Sequence, residues 1–190
     1  MATTKSARPS VRDRILSTAS ELFYQEGVRG VGIDRIIAES GVAKMSLYKH
    51  FKSKDVLIAT YLEERTENWL AWLHTRVEEL ATEPCDRILA VFDVYKEWFE
   101  QPDFHGCAFI NTSIELFDSG HPAYQVCLDH MQAVADFLST LVRDAQLPEP
   151  DILTSQLMIL LKGAVVETVM QGNSDPAVRA KQAAVILIQH

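Results

Sequence analysis

Lys44, Met45, Ser46, Tyr48, Lys49 and His50 fall within seven consecutive residues, and Lys54 follows close behind. Lysine ammoniums neutralise phosphates and can donate to the acceptors of guanine. A methionine side chain can meet a thymine methyl, and Ser46 and Tyr48 add hydroxyls. Leu47 and Phe51 are four apart, so in a helix they share a face and turn inward. The cations, hydroxyls and Met45 are then left on the opposite face. A short helix over roughly 44–50 with that outer surface suits a DNA major groove, with Lys44, Met45 and Lys49 best placed for base edges. Lys54 lies in the first turn of the following helix, where a cation opposes the helix dipole; a nearby phosphate would account for it.

The elements that must position this helix are legible upstream. Ile33 to Ser40 has helical spacing, with Ile33, Ile36 and Ile37 on one side. Gly41 supplies the break, because glycine tolerates the left-handed conformation that ends a helix. Before it, Ser10 is the expected cap of a first helix running to about Glu26, with Ile15, Ala19, Leu22 and Phe23 as its inner stripe. Ser53 is the expected cap of a long fourth helix reaching about Leu80, with Asp55 favourably placed in its first turn. Residues 1–10 are expected to form an arm in which Lys5 and Arg8 could touch DNA.

Three motifs at fixed spacing carry a resemblance. They are Arg14-Ile15-Leu16-x-x-Ala19-x-x-Leu22-Phe23-x-x-x-Gly27, then Gly32-Ile33-x-x-Ile36-Ile37-Ala38-x-x-Gly41-Val42, then Leu47-Tyr48-x-x-Phe51-x-x-Lys54. Together they resemble the amino-terminal domain of TetR/AcrR-type bacterial transcriptional regulators. The segment around Gly106-Cys107 and Asn111 also resembles a stretch found in many members. The resemblance implies an all-α protein with a three-helix, helix-turn-helix DNA-binding domain at residues 1–52. A larger helical ligand-binding and dimerisation domain at 53–190 follows, for about nine helices in all. It implies phosphate contacts from Ser46, Tyr48 and Lys54, and a cytoplasmic homodimer paired through its last two helices. Double-stranded operator DNA and a small, largely apolar or aromatic effector are the implied partners. This chain departs from the pattern at Gly32 and Ala43, where hydroxyl residues are common, and at Met45, where glycine is common.

Charge distribution agrees with a nucleic-acid-binding head. The 190-residue chain carries a net −8, yet residues 1–60 hold ten Lys and Arg against six Asp and Glu, or +4. The remainder holds eight basic against twenty acidic residues, or −12. Such asymmetry orients one end toward phosphates.

Beyond residue 80 the pattern stays helical. Pro84 opens a fifth helix whose stripe of Ile88, Phe92, Tyr95 and Phe99 is widened by Leu89, Val91 and Trp98, which marks a central helix. Pro102, the Asp118–Pro122 turn, Pro148 and Pro150, and the Gly172–Pro176 stretch punctuate four more segments. Gly163 and Ala164, facing the alanines of the last helix, are expected to permit close helix approach. Apolar and aromatic groups that could line an effector pocket are Trp69, Trp72, Phe92, Tyr95, Phe99, Phe109, Tyr124 and Met131. Asn111, Thr112, Glu115, His130 and Glu167 are candidate polar anchors.

Other chemistries find less support. Three widely spaced cysteines, Cys85, Cys107 and Cys127, form no disulfide framework. His105 and Cys107 stand two apart and His121 and His130 nine apart, and no His or Cys pair is expected to have the i, i+3 or i+4 spacing of a helical metal site; no metal or cofactor is expected. Cys107 after Gly106, at an expected helix start, offers a second mode of regulation by covalent thiol modification. A helical enzyme or scaffold is a third reading, but no phosphate-binding glycine loop or nucleophile elbow occurs, and no enzymatic activity is expected. No run of eighteen apolar residues occurs, so no membrane span is expected.

Overall fold

The computed structural model describes residues 9–189; the arm residues Lys5 and Arg8 lie outside them. The described residues form nine α-helices: α1 (Val11–Glu26), α2 (Ile33–Ser40), α3 (Lys44–His50), α4 (Lys54–Leu80), α5 (Pro84–Phe99), α6 (Ala108–Leu116), α7 (Pro122–Asp144), α8 (Pro150–Gln171) and α9 (Asp175–Gln189). Local chemistry sets these bounds. The Ser10 side chain accepts from the Asp13 N–H while the Asp13 carboxylate accepts from the Ser10 N–H, a reciprocal capping box. Ser53 Oγ accepts from the Val56 N–H at 3.2 Å and caps α4. Gly41 and Gly172 end α2 and α8 in the left-handed conformation.

The chain forms two compact units. One contains the described residues up to Glu64 together with Asn111–Val126; the other contains Arg65–Ile110 and the chain from Cys127 onward. The unit boundaries fall inside α4, α6 and α7.

In the first unit, Ile15, Ala19, Ile36, Leu47, Leu57 and Leu62 are fully excluded from solvent and form the core of the head. In the second, α5 is central as its broad apolar surface requires: Ile88, Ala90, Val91, Phe92, Val94, Tyr95 and Phe99 are all buried. It packs with α8 and α9. Ala177, Ala180 and Ala184 of α9 and Ala164 of α8 are buried. Gly163 differs from expectation. It is exposed, a Cβ there would meet nothing within 4 Å, and so it does not mediate the α8–α9 approach.

α8 is apolar on two sides. Leu153, Leu157, Met158, Leu161 and Val165 face the core, while Ile152, Ile159, Val166, Val169 and Met170 are exposed. It is the one helix among the described residues long and apolar enough to cross a membrane by length and composition. Lys162 and Glu167 interrupt it, and its apolar residues divide between the buried face and the exposed stripe.

Candidate nucleic-acid interface

α3 is seven residues long and owes its position to two anchors. Leu47 is completely buried and Phe51, just past the helix end, is 1% exposed. Arg14 of α1 reinforces the turn before α3: its Nη2 donates to the carbonyls of Ser40 at 2.6 Å and Gly41 at 3.1 Å. Buried Ser40 bonds back to the Ile36 carbonyl at 2.6 Å. The Arg12 guanidinium lies 5.3 Å from the centre of the Phe51 ring, on a geometry suited to cation–π attraction. Arg35 binds Glu26 and Glu39, which joins α1 to α2. Neither α2 nor α3 has a side-chain cap, as Gly32 and Ala43 at those positions require.

With its inner face fixed, α3 presents the groups expected of it. Met45 is 82% exposed, Tyr48 is 41% exposed, and Lys44, Lys49 and His50 are exposed beside them; Ser46 is half-buried. Lys44 is not free on this surface. Its Nζ lies 3.1 Å from Asp34 Oδ1 on α2, and that hydrogen bond, with the carboxylate's charge, raises its pKa. Lys54 is half-buried. Burial lowers its pKa against the opposing pull of Asp55 and Glu115.

The expected effector-pocket residues separate. Trp69, Trp72, Tyr95 and Phe99 join Trp98 and Phe104 in one aromatic cluster of the second unit, with neighbouring ring centres 4.6–6.1 Å apart. The Trp69 indole N–H is buried without a hydrogen-bond partner. Phe92 is core, and Met131 is half-buried. Phe109 stacks on His130, centroids 3.4 Å apart and planes within 6°. His130 is 4% exposed, its Nδ1 stands 3.2 Å from Thr66 Oγ1, and burial plus the Arg65 charge lowers its pKa to about 4. It is therefore neutral at pH 7. Asn111, Thr112, Glu115 and Tyr124 belong to the first unit.

Of the expected polar anchors, Thr112 and His130 are buried. Asn111 is exposed, and Glu167 is exposed and bonded by Gln171. α8 is apolar on two sides, so its sequence does not tell which side Glu167 takes. Glu115 is half-buried and paired within the first unit. Its Oε2 accepts from the Arg29 N–H at 2.9 Å, and both carboxylate oxygens crowd Gly27. That partnership spans 86 residues and has no local signal in the sequence.

A polar groove of about 360 Å³ in the second unit is lined by the end of α4, Asp86, Leu89, Ala90, Asp93 and Lys181. None of the expected pocket residues lines it. Lys181 bonds both Asp93 carboxylate oxygens there, at 2.8 and 2.6 Å.

Cys107 and Cys127 are buried and Cys85 is exposed. Burial raises the Cys107 pKa despite the Ile110 and Phe109 backbone N–H groups at the start of α6, so the thiol and not the thiolate is favoured there. Cys127 is pushed up to about 12, chiefly by burial. Cys127 and His130 stand three apart on α7, a ligand-like spacing that corrects the expectation that no His or Cys pair has it. Among the described residues no group of three or more His, Cys, Asp or Glu is placed to hold a metal.

Comparison with known proteins points one way. The family model described as bacterial regulatory proteins, tetR family, matches residues 15–61, and the tetracyclin repressor-like carboxy-terminal domain matches residues 84–184. The chain is 24% identical over 184 residues to the HTH-type transcriptional repressor DhaR of Mycobacterium sp. strain GP1, covering 90% of this chain and 88% of that one. The crystal structure of SCO4454, a TetR-family transcriptional regulator from Streptomyces coelicolor, is 29% identical with a TM-score of 0.84, covering 95% and 96% of the two chains. That of a TetR-type transcriptional regulator (sav143) from Streptomyces avermitilis is 30% identical with a TM-score of 0.78, covering 93% and 98%.

Proposed function

This chain belongs to the TetR family of bacterial regulatory proteins, and from that premise we propose that it is a cytoplasmic, homodimeric repressor released from a palindromic operator by a small-molecule effector. As a family member it is a DNA-binding transcriptional regulator. The observation that carries the DNA-reading role is α3: a helix pinned by buried Leu47 and Phe51, with Lys44, Met45, Tyr48, Lys49 and His50 turned to solvent. Lys44, Met45 and Lys49 read base edges, while Ser46, Tyr48 and Lys54 hold phosphates. The head at residues 1–52 does this work, and residues 53–190 bind effector and partner. Repression is favoured by the name of DhaR, a transcriptional repressor.

A seven-residue helix touches few base pairs, so two copies are needed for affinity and for spacing. Ile152, Ile159 and Val166 recur every seven residues along the exposed side of α8, and Val178 and Ile186 are exposed on α9. Pairing these two helices with their symmetry mates covers that stripe and sets two α3 helices about 34–36 Å apart, one DNA turn, or a multiple of it. The effector is largely apolar or aromatic and meets the cluster around Trp69, Trp72, Tyr95 and Phe99. The unpartnered Trp69 N–H supplies a directional contact to an acceptor on it. It acts by preferring a body conformation that misplaces the heads. The release it achieves equals its differential affinity for the two states, with coupling of about 1–3 kcal/mol typical.

Selection of random duplex DNA by the purified protein at near-physiological salt tests this reading. A palindromic motif with half-sites one turn or a multiple apart is the expected product. Absence of enrichment by folded, dimeric protein, repeated after refolding away any bound small molecule, refutes it.

A further inference from the structure

The helix-turn-helix at 33–50 holds two carboxylates, Asp34 and Glu39, and their charges are answered differently. Glu39 is bound by Arg35, which also binds Glu26, so that charge is settled between α1 and α2. Asp34, in the first turn of α2, has its Oδ1 3.1 Å from the Nζ of Lys44, the first residue of α3. Among the described residues it is the one carboxylate ion-paired with a residue of α3. The pair stands in water: the Asp34 side chain is 86% exposed and that of Lys44 62%. Exposed pairs of this kind add little to stability. A carboxylate in the first turn of α2 suits the helix dipole, but it does so without touching α3. Neither role accounts for a negative charge placed against the leading cation of a helix that reads a polyanion.

The chemistry of lysine supplies a reason. An ammonium carries three N–H donors on a flexible four-carbon stem. Unheld, it reaches a phosphate as readily as a base, and a phosphate contact carries no sequence information. With one donor engaged by Asp34, two remain, and guanine answers two with O6 and N7 in the major groove. Adenine offers N7 but sets an N–H donor where guanine has O6. The same carboxylate repels the phosphates toward which a loose lysine swings. Discrimination arises from such repulsion as much as from attraction to the right partner.

We propose that Asp34 is a specificity-determining residue of the reading surface: it holds Lys44 toward base edges and away from phosphates, so that guanine is preferred at the position Lys44 meets. This role rests on the DNA-reading function proposed above. Asp34 is a positioning residue that acts through Lys44 and reads no base itself.

The duplex recovered by selection provides the test. The position at which K44A loses its preference is changed symmetrically from guanine to adenine. Affinities for the two duplexes, and for a scrambled one, are measured by fluorescence anisotropy at near-physiological salt for wild type, D34A, K44A and D34A/K44A. The ratio between duplexes is read, so any loss of active protein cancels. Wild type is expected to prefer guanine by roughly 5-fold or more, the lower end for a good two-bond base contact. D34A is expected to lose most of that preference and to bind the scrambled duplex at least as tightly as wild type. In the K44A background, D34A is expected to leave the ratio unchanged. Full guanine preference in D34A, or weaker binding of the scrambled duplex, overturns the proposal. So does an equal shift with and without Lys44, which would mean that Asp34 itself accepts from a base such as cytosine. A K44A protein that keeps its preferences, or loses one for a base other than guanine, overturns it as well. Should D34A fail to fold by circular dichroism, D34S decides by the same ratios, since serine suits the start of a helix and carries no charge. A wild-type protein that retains no duplex is a different result and refutes the DNA-reading function itself.

Discussion

His130 should make the body labile to mild acid, by an amount that its surroundings fix. The ring is 4% exposed, lies flat on Phe109, and is held below its ordinary value of 6.5, at about 4, first by burial and then by Arg65. Folded, it stays neutral until pH falls to about 4; unfolded, it takes a proton near 6.5. Between those values the unfolded chain binds the extra proton, so stability falls as pH falls, while above 6.5 this residue contributes no slope. At about 1.36 kcal/mol per pH unit, the gap amounts to about 3 kcal/mol below pH 4, of which about 2 kcal/mol is lost by pH 5. His130→Phe keeps a ring on Phe109 and removes the titration. Urea unfolding at pH 7 and pH 5, at one fixed protomer concentration, compares the two proteins. Carboxylates common to both cancel, as does the pH-independent cost of leaving Thr66 without its ring partner. Wild type should lose about 2 kcal/mol more than the variant between the two pH values. Equal losses would refute the argument and mean that His130 is solvated or paired in its charged form.

The thiols should separate by burial: the native protein should give one rapid equivalent with an aromatic disulfide reagent, from exposed Cys85, and three after denaturation. A rapid reaction at Cys107 would instead revive regulation by thiol modification. The interface residues should separate by role in the same duplex selection. Lys54→Ala should weaken binding to all sequences and flatten the salt dependence by about one phosphate's share, roughly 0.9 in the log–log slope. Lys44→Ala or Met45→Ala should instead change the bases preferred. Uniform effects from all three would show that the contacts have been sorted wrongly.

Much of the head was legible because its signals are local. Leu47 and Phe51 share a face at a spacing of four, Gly41 takes the left-handed conformation that ends α2, and Ser10 and Ser53 cap the helices that follow them. Prolines and glycines likewise place the later helix boundaries within a residue or two. What escaped were relations between distant or ambiguous faces. Glu115 carries no local sign that its partner is a backbone N–H 86 residues upstream. Lys44 meets Asp34 across a turn, ten positions apart and outside any helical rule. Glu167 and Gly163 lie on a helix that is apolar on both sides, where periodicity cannot say which side faces inward, and both are exposed.

In the proposed dimer, the double-sided character of α8 links the body to the reading of DNA. A helix with a single partner surface gains by burying one apolar stripe and keeping the other side polar. α8 keeps Ile152, Ile159, Val166, Val169 and Met170 in water despite the cost of hydrating them. A self-complementary pairing removes that cost with no further sequence change, because one stripe supplies both halves of a two-fold interface. The same proposed pairing would let a seven-residue reading helix succeed, since the second copy would supply a second half-site at a fixed distance. In such a dimer specificity depends on the separation of two reading helices, and a body that alters their separation by a few ångströms needs no contact with DNA to control it.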